Sequence, residues 1–160
     1  MYNLTTPNLI ALASNISRVY EIAKTGNHTV RLIASENACK QDIDLLNEFY
    51  GFESHINPDM IIEVAYSPND VLACFKIKQD ETLGDINKRI PKQINVSDVV
   101  DSVSFKLLNV AIERLNLGVN DVLIIHRLAK SIAALGQCDK IKVEHIAEAI
   151  QYRSFRETID

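Results

Sequence analysis

VNDVLIIHRLAKSIAALGQCDKIKVEHIAEAIQYRSF, Val119 to Phe155, is the stretch on which the fold turns. Val122, Ile125, Leu128, Ile132 and Leu135 recur at spacings of three and four, and Ile146, Ala149 and Ile150 repeat the pattern after a polar turn. Such spacing places each set on one face of a helix, so the stretch reads as a helical hairpin with two apolar faces. Gly136 stands where the first arm should end, in the position that a left-handed residue without a Cβ usually fills.

Upstream, Ser97 or Asp98 offers an N-cap for a further helix with the stripe Val100, Val103, Leu107 and Val110, closed by Leu115 to Gly118. Three helices are therefore expected between residue 95 and the end. Before them, Thr6-Pro7 opens an amphipathic helix along Leu9, Leu12, Ile16, Val19 and Ala23, which Gly26 is expected to end. Thr29–Ile33 and Met60–Ala65 are β-branched runs of strand length. Between them Ile43, Leu46 and Phe49 or Tyr50 mark a helix, and residues 51–59 a loop. Val71–Ile77 is a third strand candidate, pairing back on Met60–Ala65, and Asp80–Ile90 a short helix stopped by Pro91. The expected fold class is α+β, mainly helical: a small α/β part with two or three strands over residues 1–94, then a three-helix subdomain over 95–160.

The particular residues go further. LAKSIAAL followed by EHIAEAIQYRS, with Ala129, Lys130, Ile132, Ala133, His145, Ile146, Glu148, Ala149, Tyr152 and Arg153, resembles the C-terminal helical lid of magnesium-chelatase-like AAA+ ATPases. Arg18 to Ile33, RVYEIAKTGNHTVRLI, is similar to the helix and first strand that lead into that family's phosphate loop. In the family the lid sits over a nucleotide held by a separate core. The resemblance implies that Lys40 stands at the phosphate-gripping lysine, a vestigial nucleotide contact, although an exposed lysine in the first turn of a helix is the simpler reading. Ala34 and Cys39 replace the loop's two glycines, Gln41 its magnesium-binding hydroxyl, and Glu36 adds a carboxylate that repels phosphate. A phosphate nest needs backbone conformations that cost a residue bearing a Cβ roughly 1–2 kcal/mol each. Asn57-Pro58-Asp59 stands where the family carries an Asp-Arg pair, and Asn120 where it carries a sensor arginine. Between Tyr50 and Asn57, where the family has most of its core, there are six residues. The expectation is a truncated, degenerate core that does not catalyse, joined to a lid that binds a protein.

Composition narrows the other classes. Among 160 residues, 17 Lys and Arg face 21 Asp and Glu, for a net charge of −4, so charge does not call for nucleic acid. MYNLTTPNLI lacks the basic and apolar regions of a signal peptide, and a cytoplasmic, membrane-free protein is expected. Cys39, Cys74 and Cys138 are widely spaced and read as reduced thiols. His28, His55, His126 and His145 have no i, i+4 partner, so neither a metal nor a cofactor is expected; His145 reads as a turn-stabilising or exposed residue, and Glu144 and Glu148 as tolerated near a helix start. Tyr152 and Arg153 close the last helix, where an interface role is conceivable. The expected partner is a second copy or an intact AAA+ ATPase. The alternatives are an ATPase that keeps Lys40 and recruits missing groups from another chain, and a nucleic-acid-binding helical module.

Overall fold

A computed structural model describes residues 18–34, 44, 47, 50–52, 57–64 and 87–154. Lys40, with Glu36, Cys39 and Gln41 around it, lies outside the described residues, as do Cys74, His55, the Val71–Ile77 strand candidate and the start of the first helix at Thr6-Pro7. The fold is mainly helical with a small two-stranded sheet. The chain divides into two compact units: Met1–Glu21 with Thr29–Arg89, and Ile22–His28 with Ile90–Asp160.

In the first unit, β1 (Val30–Ala34) and β2 (Met60–Val64) pair in parallel, from Val30 opposite Met60 to Ala34 opposite Val64. Alternation puts Val30 and Leu32 inward, where Met60 is also buried. A parallel pair needs a crossover connection, and residues 44, 47 and 50 within it are helical. That helix ends at Gly51, whose φ of 67° is left-handed, while the Phe52 N–H donates to the Asn47 carbonyl oxygen at 2.7 Å. The entry to the sheet is clamped: the Asp59 N–H donates to Thr29 Oγ1 at 2.8 Å, the Thr29 N–H to Asp59 Oδ2 at 3.3 Å, and the Met60 N–H to the Thr29 carbonyl at 3.0 Å. The Asn47 side chain imitates a strand partner by meeting both backbone groups of Leu32 at 3.3 and 3.4 Å. Tyr20, Tyr50 and Phe52 form an aromatic cluster, the last two stacked with centroids 5.6 Å apart.

In the second unit, α1 (Ser102–Leu115), α2 (Val119–Leu135) and α3 (Val143–Ser154) are the three expected helices. α3 packs against both α1 and α2. Ile125, Leu128, Ala129, Ile132, Ala133, Ile141, Ile146 and Ala149 are essentially sealed from solvent and form the core. Of the faces read from α2 and α3, Ile125, Leu128, Ile132, Ile146 and Ala149 are buried, while Val122, Leu135 and Ile150 at the margins are half-buried. The segment before α1 is tied to the α2–α3 turn by the Ser97 N–H donating to the Asp139 carbonyl at 2.9 Å, and by a parallel bridge between Val100 and Ile141.

Three expectations require correction. The N-cap of α1 is Asp101, whose Oδ1 accepts the Ser104 N–H at 2.7 Å, so neither Ser97 nor Asp98 caps it. The buried face of α1 is Ser104, Leu108 and Ala111, whereas Val103 is 59% and Val110 45% exposed. Two i, i+3/i+4 rows run side by side on this helix, and the core takes the row with the smaller residues, which let the backbone lie close to its neighbour. Finally, the left-handed residue at the end of α2 is not Gly136. Gly136 has φ −78°, and Gln137 takes φ 55°; Gly26 is the last helical residue before Asn27, also at φ 55°; and Asn116 takes φ 50° before Gly118. The His28 N–H donates to the Ala23 carbonyl at 2.8 Å and the Cys138 N–H to the Ala133 carbonyl at 2.9 Å, the long-range closure of a Schellman turn in both cases.

Candidate functional site

Asn120, on the first turn of α2, is exposed. Its neighbour Asp121 is not: Asp121 Oδ2 accepts the Gly118 N–H at 2.9 Å, a capping interaction, and Oδ1 pairs with the Arg153 guanidinium from the last turn of α3. The Asp121 and Arg153 side chains are 15% and 16% exposed, so the arginine at this end of the bundle has its charge matched within the unit. The other residue singled out at this helix end, Tyr152, donates its hydroxyl to Glu148 Oε1 at 2.8 Å. Both end-of-helix side chains thus make bonds inside the unit.

At the opposite flank, Lys130 Nζ donates to Asp98 Oδ1 at 2.7 Å, and His126 Nε2 lies 3.0 Å from the Asp98 carbonyl oxygen. The hydrogen bond from Lys130, followed by its charge, holds the Asp98 carboxyl below the ordinary value of 3.8. The Asp101 carboxyl is lowered as well, first by the backbone hydrogen bond from Ser104. Arg127, beside His126, is exposed. His145 is buried and turn-stabilising: its Nδ1 accepts the Lys142 N–H at 3.0 Å, the reciprocal half of a capping box with imidazole in place of a carboxylate.

One juxtaposition has no trace in the local sequence. His28 Nε2 lies 2.7 Å from Ser131 Oγ, across 103 positions of chain, and both residues are buried. The Ser131 hydroxyl donates to the Arg127 carbonyl at 3.2 Å, so the imidazole N–H is the donor to Oγ. That polarity is the reverse of what a histidine activating a serine nucleophile requires. Gly26 makes room for the pair, because a Cβ there would overlap both His28 Nε2 and Ser131 Oγ.

A shallow cavity of about 220 Å³ in the second unit is lined by Gln93, Asn95, Val96, Ala134, Gln137, Cys138 and Asp139. The Cys138 thiol is free and partly exposed, 3.5 Å from the Gly136 carbonyl oxygen. Among the described residues no group of three or more His, Cys, Asp or Glu side chains converges as a metal site would need, and no helix is long and apolar enough to cross a membrane.

Taken together, the residues that carry the likeness to the helical lid are those that build the unit. Ala129, Ile132, Ala133, Ile146 and Ala149 form its core, His145 caps α3, and Lys130, Glu148, Tyr152 and Arg153 are bonded within it. The family model described as "Magnesium chelatase, subunit ChlI C-terminal" matches residues 68–153, more than half of the chain. The chain belongs to this family. The matched span takes in α1, α2 and α3 up to Arg153, together with residues 68–101 before them. No curated protein and no solved structure matches the chain.

Proposed function

We propose that this magnesium-chelatase C-terminal family member is a non-catalytic protein-interaction module that works by self-association or by docking onto an intact AAA+ ATPase. The observation that carries the reading is the state of the α2 start: Asn120 occupies the place of the family's sensor arginine, and the nearby arginine, Arg153, is matched by Asp121. A guanidinium that serves a nucleotide must be available to phosphate, and a half-buried carboxylate partner competes for it directly. The replacements of glycine and of the magnesium-binding hydroxyl around Lys40 support the same reading from the sequence.

Surface chemistry supports the interaction half. Val99, Val103, Phe105, Val119 and Leu123 are each more than half exposed on or beside α1 and α2. Isolated apolar residues on a surface are ordinary, but four large ones on α1 and α2, with Val99 just before α1, suit a surface that is covered in use.

Isothermal titration of the full chain with ATP and magnesium is the direct test. The expected result is no binding heat at high micromolar ATP, and saturable binding would overturn the non-catalytic reading in favour of an ATPase that keeps Lys40. Sedimentation of the chain alone, and mixed with a magnesium-chelatase-like ATPase, tests the interaction half: a concentration-dependent or partner-dependent shift is expected, and a monomer throughout would remove it.

A further inference from the structure

We propose that Ile22–His28 is a clasp that closes the helical unit, although it lies outside the span matched by the family and Thr29–Arg89 separates it from the rest of that unit. The inference concerns how the unit holds its shape and goes beyond the reading of its function. Ile22 is fully buried and Ala23 nearly so, which makes the segment part of the core. The left-handed turn at Asn27 and the His28 N–H to Ala23 carbonyl bond then reverse the chain, so that the imidazole meets Ser131 on α2. Gly26 leaves the space in which that hydrogen bond forms. A buried polar pair so placed is all-or-none, because separating the partners without water leaves two polar groups unsatisfied.

α2 packs against α3, which in turn packs against α1, so α2 reaches the rest of the bundle through α3. Its protection from opening should therefore depend on a histidine about a hundred residues upstream. The deciding experiment is hydrogen exchange on the full chain, read by peptide, for His28→Ala, Ser131→Ala and the double variant, with Gly26→Ala as a third way of parting the pair. Loss of one buried partner should speed exchange of amides around Arg127–Leu135 and in α3 by about tenfold. The double variant should match the single ones, since both break the same contact. Amides of β1 and β2 serve as the internal reference and should keep their rates. Faster exchange confined to Ile22–His28 would show a passive appendage, and equal acceleration in β1 and β2 would show a global effect; either result overturns the clasp. Ser131→Ala removes a single oxygen, so it keeps the test open if His28→Ala fails to fold.

Discussion

Gly26 and Gly136 occupy equivalent places, each the last residue before a left-handed one, yet they should respond oppositely to alanine. At Gly136 the backbone has φ −78°, and a Cβ would meet the Ala133 and Ile132 carbonyl oxygens at an ordinary 3.6 Å. Gly136→Ala should be neutral or stabilising by about 0.4–1 kcal/mol, because it mainly restricts the unfolded chain. At Gly26 the same methyl drives His28 and Ser131 apart, and Gly26→Ala should cost about 1–3 kcal/mol from overpacking and the lost bond. Chemical denaturation of the two variants, followed by helical circular dichroism, checks both signs. The pair Asp121 and Arg153 makes a second prediction at this scale. Arg153→Met or Asp121→Asn should each destabilise by about 1–3 kcal/mol, between the values for exposed and for buried ion pairs, and a double-mutant cycle should return a favourable coupling. Neither the Gly26 nor the Asp121 behaviour is legible in the chain alone, since each depends on a partner brought in by the tertiary fold.

At the scale of elements, what the periodic pattern supplied and what it missed have the same origin. The apolar rows of α2 and α3 were readable because one row dominates each helix and the core buries its middle, Ile125, Leu128 and Ile132 on α2 and Ile146 and Ala149 on α3. On α1 two rows compete, and burial of Ser104 and Ala111 in preference to Val103 is decided by how closely the neighbouring helix approaches, which no local pattern records. The helix ends fell where expected, but at α2 the left-handed residue is Gln137 and not Gly136. Among the described residues glycine marks the left-handed residue at Gly51, whereas Asn27, Asn116 and Gln137 adopt that conformation themselves. Asparagine tolerates it well; glutamine less so, and Gln137→Gly should raise stability by up to about 1 kcal/mol in the same denaturation experiment. The start of α1 adds a pH dependence. Asp98 and Asp101 titrate below 3.8 in the folded chain, so their contribution is fully present above the ordinary carboxylate value and is lost as pH falls through the lowered one. Acid should therefore loosen this helix start below about pH 4. Asp101→Asn keeps a capping oxygen but removes the titration, and should flatten the dependence of helical signal on pH in that range.

For the whole molecule, the mainly helical α+β class, the positions of β1 and β2 to within a residue and the membership of the magnesium chelatase C-terminal family could all be read from the chain, whereas the parallel pairing of the two strands was not. Those features rest on periodicity and on a fixed spacing of core residues. The inclusion of Ile22–His28 in the helical unit could not be read, because a segment's membership of a core depends on contacts across long stretches of chain. The candidate site shares that limit. The pairing of Arg153 with Asp121 needed the two helix ends to be brought together. The interaction reading makes a prediction that separates surface from scaffold. Val103 and Leu123 are each 59% exposed and contribute little to the core, so Val103→Glu with Leu123→Glu should leave the unfolding midpoint nearly unchanged, within roughly 0.5 kcal/mol per site. If these side chains are covered when the protein works, placing two carboxylates there imposes a desolvation cost on any apolar partner surface, and association should weaken by at least tenfold. Sedimentation velocity of the parent chain and the double variant, over the same concentration range and with the same ATPase partner, measures this. Equal association by both would assign the contact to another face of the chain, while weakened association at unchanged stability is the outcome that an interaction surface on α1 and α2 requires.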